Sequence, residues 1–151
     1  MKYFFKPDWL VISISIILLA SIAMLVHITP WNSFWSIIFF ALMIGILAYG
    51  LAIMPIWVEV DDKKIKVQQL IGFRIFRKDK VKIHQVKKED LKGSIRVFGS
   101  SGYGGHTGWF RNKKLGKYFM LILNKKELAL IETEKGRKIV INYPQRLFEQ
   151  K

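Results

Sequence analysis

The sequence predicts a membrane-spanning α-helical hairpin followed by a mainly-β domain of about seven antiparallel strands, forming a small barrel or a pair of packed sheets and closed by a C-terminal helix. Three observations carry this. Trp9 to Trp57 is a run of 49 residues without a single Asp, Glu, Lys or Arg. Beyond it, apolar residues alternate with polar ones in short segments separated by turn residues. The formal net charge of +14 falls almost wholly on this second part, because Lys2, Lys6 and Asp8 leave only +1 ahead of the apolar run.

A helix rises about 1.5 Å per residue and the hydrocarbon core is about 30 Å thick, so one crossing takes roughly 20 residues and the run holds two. The break falls at Thr29-Pro30-Trp31-Asn32-Ser33. Proline removes a backbone donor and disfavours helix at the residue before it, and Asn32 or Ser33 can cap the helix that follows. The hairpin is therefore Trp9 to Ile28 and Phe34 to Trp57, within a spanning unit of residues 1–57. Lys2 and Lys6 precede it, Lys63, Lys64 and Lys66 follow it, and the connecting loop has no cation. The positive-inside bias then puts both termini in the cytoplasm and the loop outside. Trp9 and Trp57 mark the inner headgroup level, and Trp31 and Trp35 the outer. Ala41, Gly45, Ala48 and Ala52 form a small-residue stripe on the second helix. The first reading is a contact within the hairpin; the second is a contact between copies, giving a homo-oligomer.

Residues 58–151 supply one small domain. Trp57 to Val60 and Ile65 to Val67 form a strand hairpin around Asp61-Asp62-Lys63; Ile71-Gly72 turns into Phe73 to Arg77; Val81 to Val86 follows, and Ser94 to Phe98 is a fifth strand. Gly99 to Gly108 holds five glycines in ten residues and reads as an interruption that strand propensity does not sustain. Strands resume at Lys117 to Leu123, Glu127 to Glu132 and Lys138 to Tyr143, joined by what read as tight antiparallel turns at Asn124-Lys125-Lys126 and Glu134-Lys135-Gly136. Pro144 stops the last strand and opens a short helix whose Leu147 and Phe148 dock on the sheet.

The stretch from Arg96 to Tyr118, with Gly102-Tyr-Gly-Gly-His-Thr-Gly-Trp-Phe-Arg-Asn112 at its centre, resembles the glycine-rich signature of bacterial pleckstrin-homology-like (PH-like) domain proteins. The strand order, the closing helix and the preceding membrane hairpin fit that family. The resemblance implies a binding module with no covalent chemistry. It departs from the phosphoinositide-binding pattern in its first hairpin loop, where Asp61 and Asp62 precede the lysines.

The candidate contact surface combines Tyr103, His106, Trp109, Arg111, Lys113, Lys114 and Lys117 around the glycines with Arg74, Arg77 and Lys78 upstream. Glycines let backbone N–H groups approach an anion, and the nearby cations would add to its attraction. The bland alternative is a conformationally demanding crossover, with Tyr103, Trp109 and Phe110 folded back onto the domain. The basic segment from Arg74 to Lys88 sets seven cations against Asp79. Tethered near a leaflet, such a segment meets anionic headgroups first, each basic residue contributing about 1 kcal/mol; a partner protein is the other candidate. No motif for reading nucleic acid accompanies the charge. His27, His84 and His106 share no metal-ligand spacing and cysteine is absent, so neither a metal site nor a cofactor is implied. His106, in the glycine stretch, is the one histidine with a conceivable catalytic use, and neighbouring cations would lower its pKa.

Overall fold

The computed structural model describes residues 1–29 and 34–149. Pro30, Trp31, Asn32 and Ser33, where the interhelical break and one outer tryptophan were expected, lie outside the described residues. The elements are β1 (Lys2–Phe4), α1 (Trp9–Ile28), α2 (Phe34–Ala52), β2 (Pro55–Val60), β3 (Lys64–Gln69), β4 (Phe73–Arg77), β5 (Val81–Val86), β6 (Ile95–Gly102), β7 (Gly105–Asn112), β8 (Gly116–Ile122), β9 (Leu128–Thr133), β10 (Lys138–Asn142) and α3 (Arg146–Glu149).

Helix α1 has the bounds its charge-free run predicts. Two of its three serines hydrogen-bond back into the helix, Ser15 Oγ to Val11 O at 2.8 Å and Ser21 Oγ to Ile17 O at 2.8 Å, so these two hydroxyls need no water. Helix α2 stops at Ala52, five residues before the expected end. Pro55 disfavours helix at Met54, and Pro55–Val60 is already strand. Trp57 is consequently a sheet residue, its ring 5.6 Å from that of Phe4 and 5.8 Å from Lys2 Nζ, rather than a marker at the helix end. Apart from Ser13, Ile38 and Ala52, the less exposed positions of the two helices recur every three or four residues: Val11, Ser15, Leu18, Ile22 and Val26 on α1, and Ser36, Phe40, Met43, Leu47 and Gly50 on α2. These form the seam. Of the small-residue stripe, only Ala52 is partly buried. Ala41, Gly45 and Ala48 are exposed, and a Cβ on Gly45 would meet nothing within 4 Å.

The β part has ten strands among the described residues, not about seven, in two open sheets rather than a closed barrel: β1-β2-β3-β4 and β5-β9-β10-β8-β7-β6. Three differences account for this. The first is β1, which comes from ahead of α1 and pairs antiparallel with β2, Tyr3 opposite Val58. The second is the glycine stretch, which is no interruption: β6 and β7 run through it as a paired hairpin, Gly99 opposite Gly108 and Gly102 opposite Gly105. The third is order. β8 and β9 are not neighbours, because β10 lies between them, parallel to β8 and antiparallel to β9. Asn124-Lys125-Lys126 is thus a crossover and not a tight hairpin turn.

Alternation along the strands gives the second sheet two apolar faces. Leu121, Ala129, Ile131, Ile139 and Ile141 meet Val58, Ile65, Val67 and Phe76 of the first sheet, and Leu147 and Phe148 of α3 pack on this core as expected. On the other face Val86, Phe110, Tyr118, Met120, Ile122, Leu128, Leu130 and Val140 cluster with Leu91 from the short turn of helix that follows β5. Each such side chain, fully buried, contributes roughly 1.5–3 kcal/mol.

The β6–β7 hairpin bends where its backbones touch. A Cβ on Gly99 would sit 2.3 Å from Thr107 O, and one on Gly108 2.2 Å from Phe98 O, so only glycine fits either position. Gly116 has a positive φ of 71° but open space around it. Gly116→Ala should therefore cost only the left-handed backbone strain of about 1–2 kcal/mol. Gly99→Ala should add the roughly 1–3 kcal/mol typical of overpacking. Denaturant unfolding of both variants in micelles checks this, and equal losses would contradict the steric reading.

Candidate functional site

The residues from Gly102 to Gly108 are buried except for Tyr103, which is half-buried, and what covers the hairpin tip is the pair of apolar helices. A Cβ on Gly102 would meet Ile14 Cδ1 at 2.5 Å, and one on Gly50 would meet the Tyr103 ring at 3.1 Å. A Cβ on Gly104 would lie 3.4 Å from Gly50 O and 3.7 Å from Met54. The Gly104 N–H donates to Ser15 Oγ at 3.4 Å. Missing side chains on both partners thus let the hairpin backbone lie against α1 and α2.

Two further ties close this junction. Ahead of α1, Asn124 Nδ2 donates to Lys6 O at 2.8 Å and the Lys125 N–H to Asp8 Oδ2 at 3.1 Å. Asp8 occupies the N-cap position of α1, but its carboxylate is used on the β8–β9 crossover and makes no cap hydrogen bond. After α2, the Ile71 N–H donates to Ala52 O at 2.8 Å and the Leu70 N–H to Met54 O at 2.9 Å, while Gln69 Nε2 reaches Ile53 O at 2.7 Å. Carbonyls that a helix end leaves unsatisfied are met by the β3–β4 turn.

The sequence-predicted contact residues divide into separate groups. Arg74, Trp109 and Lys117 are joined through Phe119, which the sequence did not single out. The Arg74 guanidinium lies 4.5 Å from the Phe119 ring, Phe119 packs edge-on to Trp109 at 5.4 Å, and Lys117 Nζ lies 5.1 Å from the Trp109 ring. Burial lowers the Arg74 pKa from its ordinary value, with Tyr49 opposing. Arg111, Lys113 and Lys114 lie around the β7–β8 turn, at the opposite ends of those strands from the hairpin tip. Lys114 is committed to Asp90, and this pairing, with the Lys87 N–H, holds that carboxyl below its usual range. Arg77 pairs with Asp79 at 3.0 Å, and the Lys78 N–H donates to Lys63 O at 2.9 Å, at the end of β4 away from α2. The seven residues of β8 cover about 23 Å, so the β7–β8 turn and the foot of the helices are electrostatically independent sites at a Debye length of about 8 Å.

The cations at the foot of α1 are Lys6, Lys125 and Lys126, none of them in the sequence-predicted surface. Their signal was the pair Lys125-Lys126 itself, which had been assigned to a tight turn. Lys6 and Lys126 are exposed, and Lys125 partly so.

His106 lies in β7, not in a loop, and is 2% exposed, with Nδ1 2.7 Å from Ser101 Oγ. Burial, helped by Lys125 and opposed by Asp8, lowers its pKa to about 4. The direction follows the sequence expectation, but desolvation leads and the neighbouring cation comes second. An unfolded chain binds this proton near pH 6.5 and the folded one near 4. His106 therefore leaves stability intact above pH 6.5 and subtracts from it as pH falls towards 4, by at most about 3 kcal/mol. Thermal unfolding between pH 7 and 4 should show His106→Gln losing less stability on acidification than the parent chain; identical pH profiles would contradict this.

Comparison with known proteins agrees with this architecture. No curated protein and no solved structure matches the chain. The family model described as bacterial PH domain matches residues 56–147, from the second residue of β2 to α3, including both sheets from β2 onward and the glycine hairpin. With well over half its length matched in this way, and with two apolar helices preceding the matched part, the chain belongs to the bacterial PH domain family.

Proposed function

We propose that the chain is a membrane-anchored, non-enzymatic binding module, with a spanning hairpin within residues 1–57 and a cytoplasmic PH-like domain over residues 58–151 that engages anionic lipid headgroups or a partner protein in the bacterial inner membrane. The observation that carries this is the three-point junction of Asp8 with Lys125, Ala52 with Ile71, and Gly50 with Tyr103. A domain tied so closely to its helices keeps Lys6, Lys125 and Lys126 at the level where α1 begins, within reach of headgroups, each worth about 1 kcal/mol near an anionic surface. Arg77, Lys78, Arg111, Lys113 and Lys117, a strand length away, suit an acidic partner better than the leaflet at the foot. The binding-module character of the family supports the absence of covalent chemistry.

The second reading, an assembly element that organises a membrane complex through Ala41, Gly45, Ala48 and Ala52, draws on one observation: the first three are exposed. Such a stripe suits a second copy. Gly45→Leu should then reduce crosslinked oligomer in membranes, whereas headgroup contact would be unchanged.

The first reading is checked by hydrogen exchange on the full chain in nanodiscs of phosphatidylcholine alone and of phosphatidylcholine with phosphatidylglycerol. Amides from Leu123 to Leu128 should exchange more slowly with the anionic lipid, and the difference should shrink as salt rises. Exchange independent of lipid charge would remove headgroup binding from the account.

A further inference from the structure

The turn between β3 and β4 carries large apolar side chains that the described residues leave mostly exposed. Leu70 is 56% exposed, Ile71 71% and Phe73 57%, around a Gly72 at φ 87°. Turns normally carry polar residues here, because they face water. This turn is also fixed in depth, since its own N–H groups hold the last carbonyls of α2. The 19 residues of α2 extend about 28 Å, slightly less than a hydrocarbon core of about 30 Å. A bilayer centred on α2 therefore ends level with Leu70 and Ile71. Phe73 continues the apolar surface with Ile75, two residues along on the outer face of β4, while Arg74 and Phe76 alternate inward. Lys66 Nζ stands 4.7 Å from the Phe73 ring, a cationic head beside an aromatic body, the pairing that membrane interfaces favour.

We infer that Leu70, Ile71 and Phe73 are inserted at the acyl–headgroup boundary of the leaflet from which α2 emerges, so that the β domain rests on its own bilayer with the β3–β4 turn as a wedge. This rests on α1 and α2 spanning the membrane and is independent of headgroup binding. Continuity selects lipid as the occupant: the exposed turn is the immediate cap of a helix whose flanks are already apolar and uncovered. Seating the turn fixes the tilt of the domain and brings the cations at the foot of α1 to the same surface.

The chain has no cysteine, so single thiols report cleanly. Ile71→Cys, Ile46→Cys in mid-α2 and Lys135→Cys on the β9–β10 turn, each carrying a nitroxide on the full chain in vesicles of phosphatidylcholine and phosphatidylglycerol, are compared by collision with oxygen, which partitions into lipid, and with a nickel chelate, which stays in water. The label at Ile71 should favour oxygen over nickel, reading between the other two, and Phe73→Cys should repeat the result should the first variant fold poorly. An aqueous reading at Ile71 with a lipid reading at Ile46 overturns the inference while leaving the spans intact. A label at Ile71 reached by neither collider means that protein covers the turn, which also overturns it. An aqueous reading at Ile46 removes the spans themselves, and the inference with them.

Discussion

The close approach of a β-hairpin backbone to two apolar helices is the constraint on which the rest of the structure depends. Gly102 lies where any side chain would collide with Ile14, and Gly50 lies where the Tyr103 ring packs. The contact is closest where Gly102 meets Ile14, is tight at Gly50, and makes the hairpin carry its pairing through residues of poor strand propensity. It holds because β7 is anchored on its other side by β8, from His106 opposite Ile122 to Asn112 opposite Gly116. Burial of the tip also explains the buried, neutral His106, whose imidazole has exchanged water for Ser101.

From this contact the functional geometry follows. Helices and sheets are fastened at the start of α1, at the end of α2 and at the hairpin tip, so the domain does not swing on a linker. Its basic residues are accordingly sorted by position rather than pooled: a group at the helix foot, an aromatic–cation ladder through Phe119, and groups at the far strand ends where some charges are already spent on Asp79 and Asp90.

Much of this was legible in the sequence, and the failures have physical causes. The bounds of α1 were readable because acidic Asp8 and a proline break frame an uncharged run. The end of α2 was not, because Pro55–Trp57 is as apolar as the helix it follows and only pairing with β3 makes it strand. The Ile71-Gly72 turn and the docking of Leu147 and Phe148 came from local chemistry and were correct. β1 was invisible: three residues carry no period, and its partner lies beyond both helices. The position of β10 between β8 and β9 was equally hidden, since spacing shows where strands start and not which strand lies next to which. At the site, Arg74, Trp109 and Lys117, named together from the sequence, do lie near one another, but the residue that joins them, Phe119, had no signal beyond being aromatic in a strand.

The most direct measurement of the central contact is a disulfide between Gly50→Cys and Tyr103→Cys in the otherwise cysteine-free chain. In native membranes under mild oxidation the pair should crosslink, while Gly45→Cys with Tyr103→Cys should stay reduced. Free, alkylatable thiols in the first pair under the same oxidant would contradict the account, because the hairpin would then not lie on the helices.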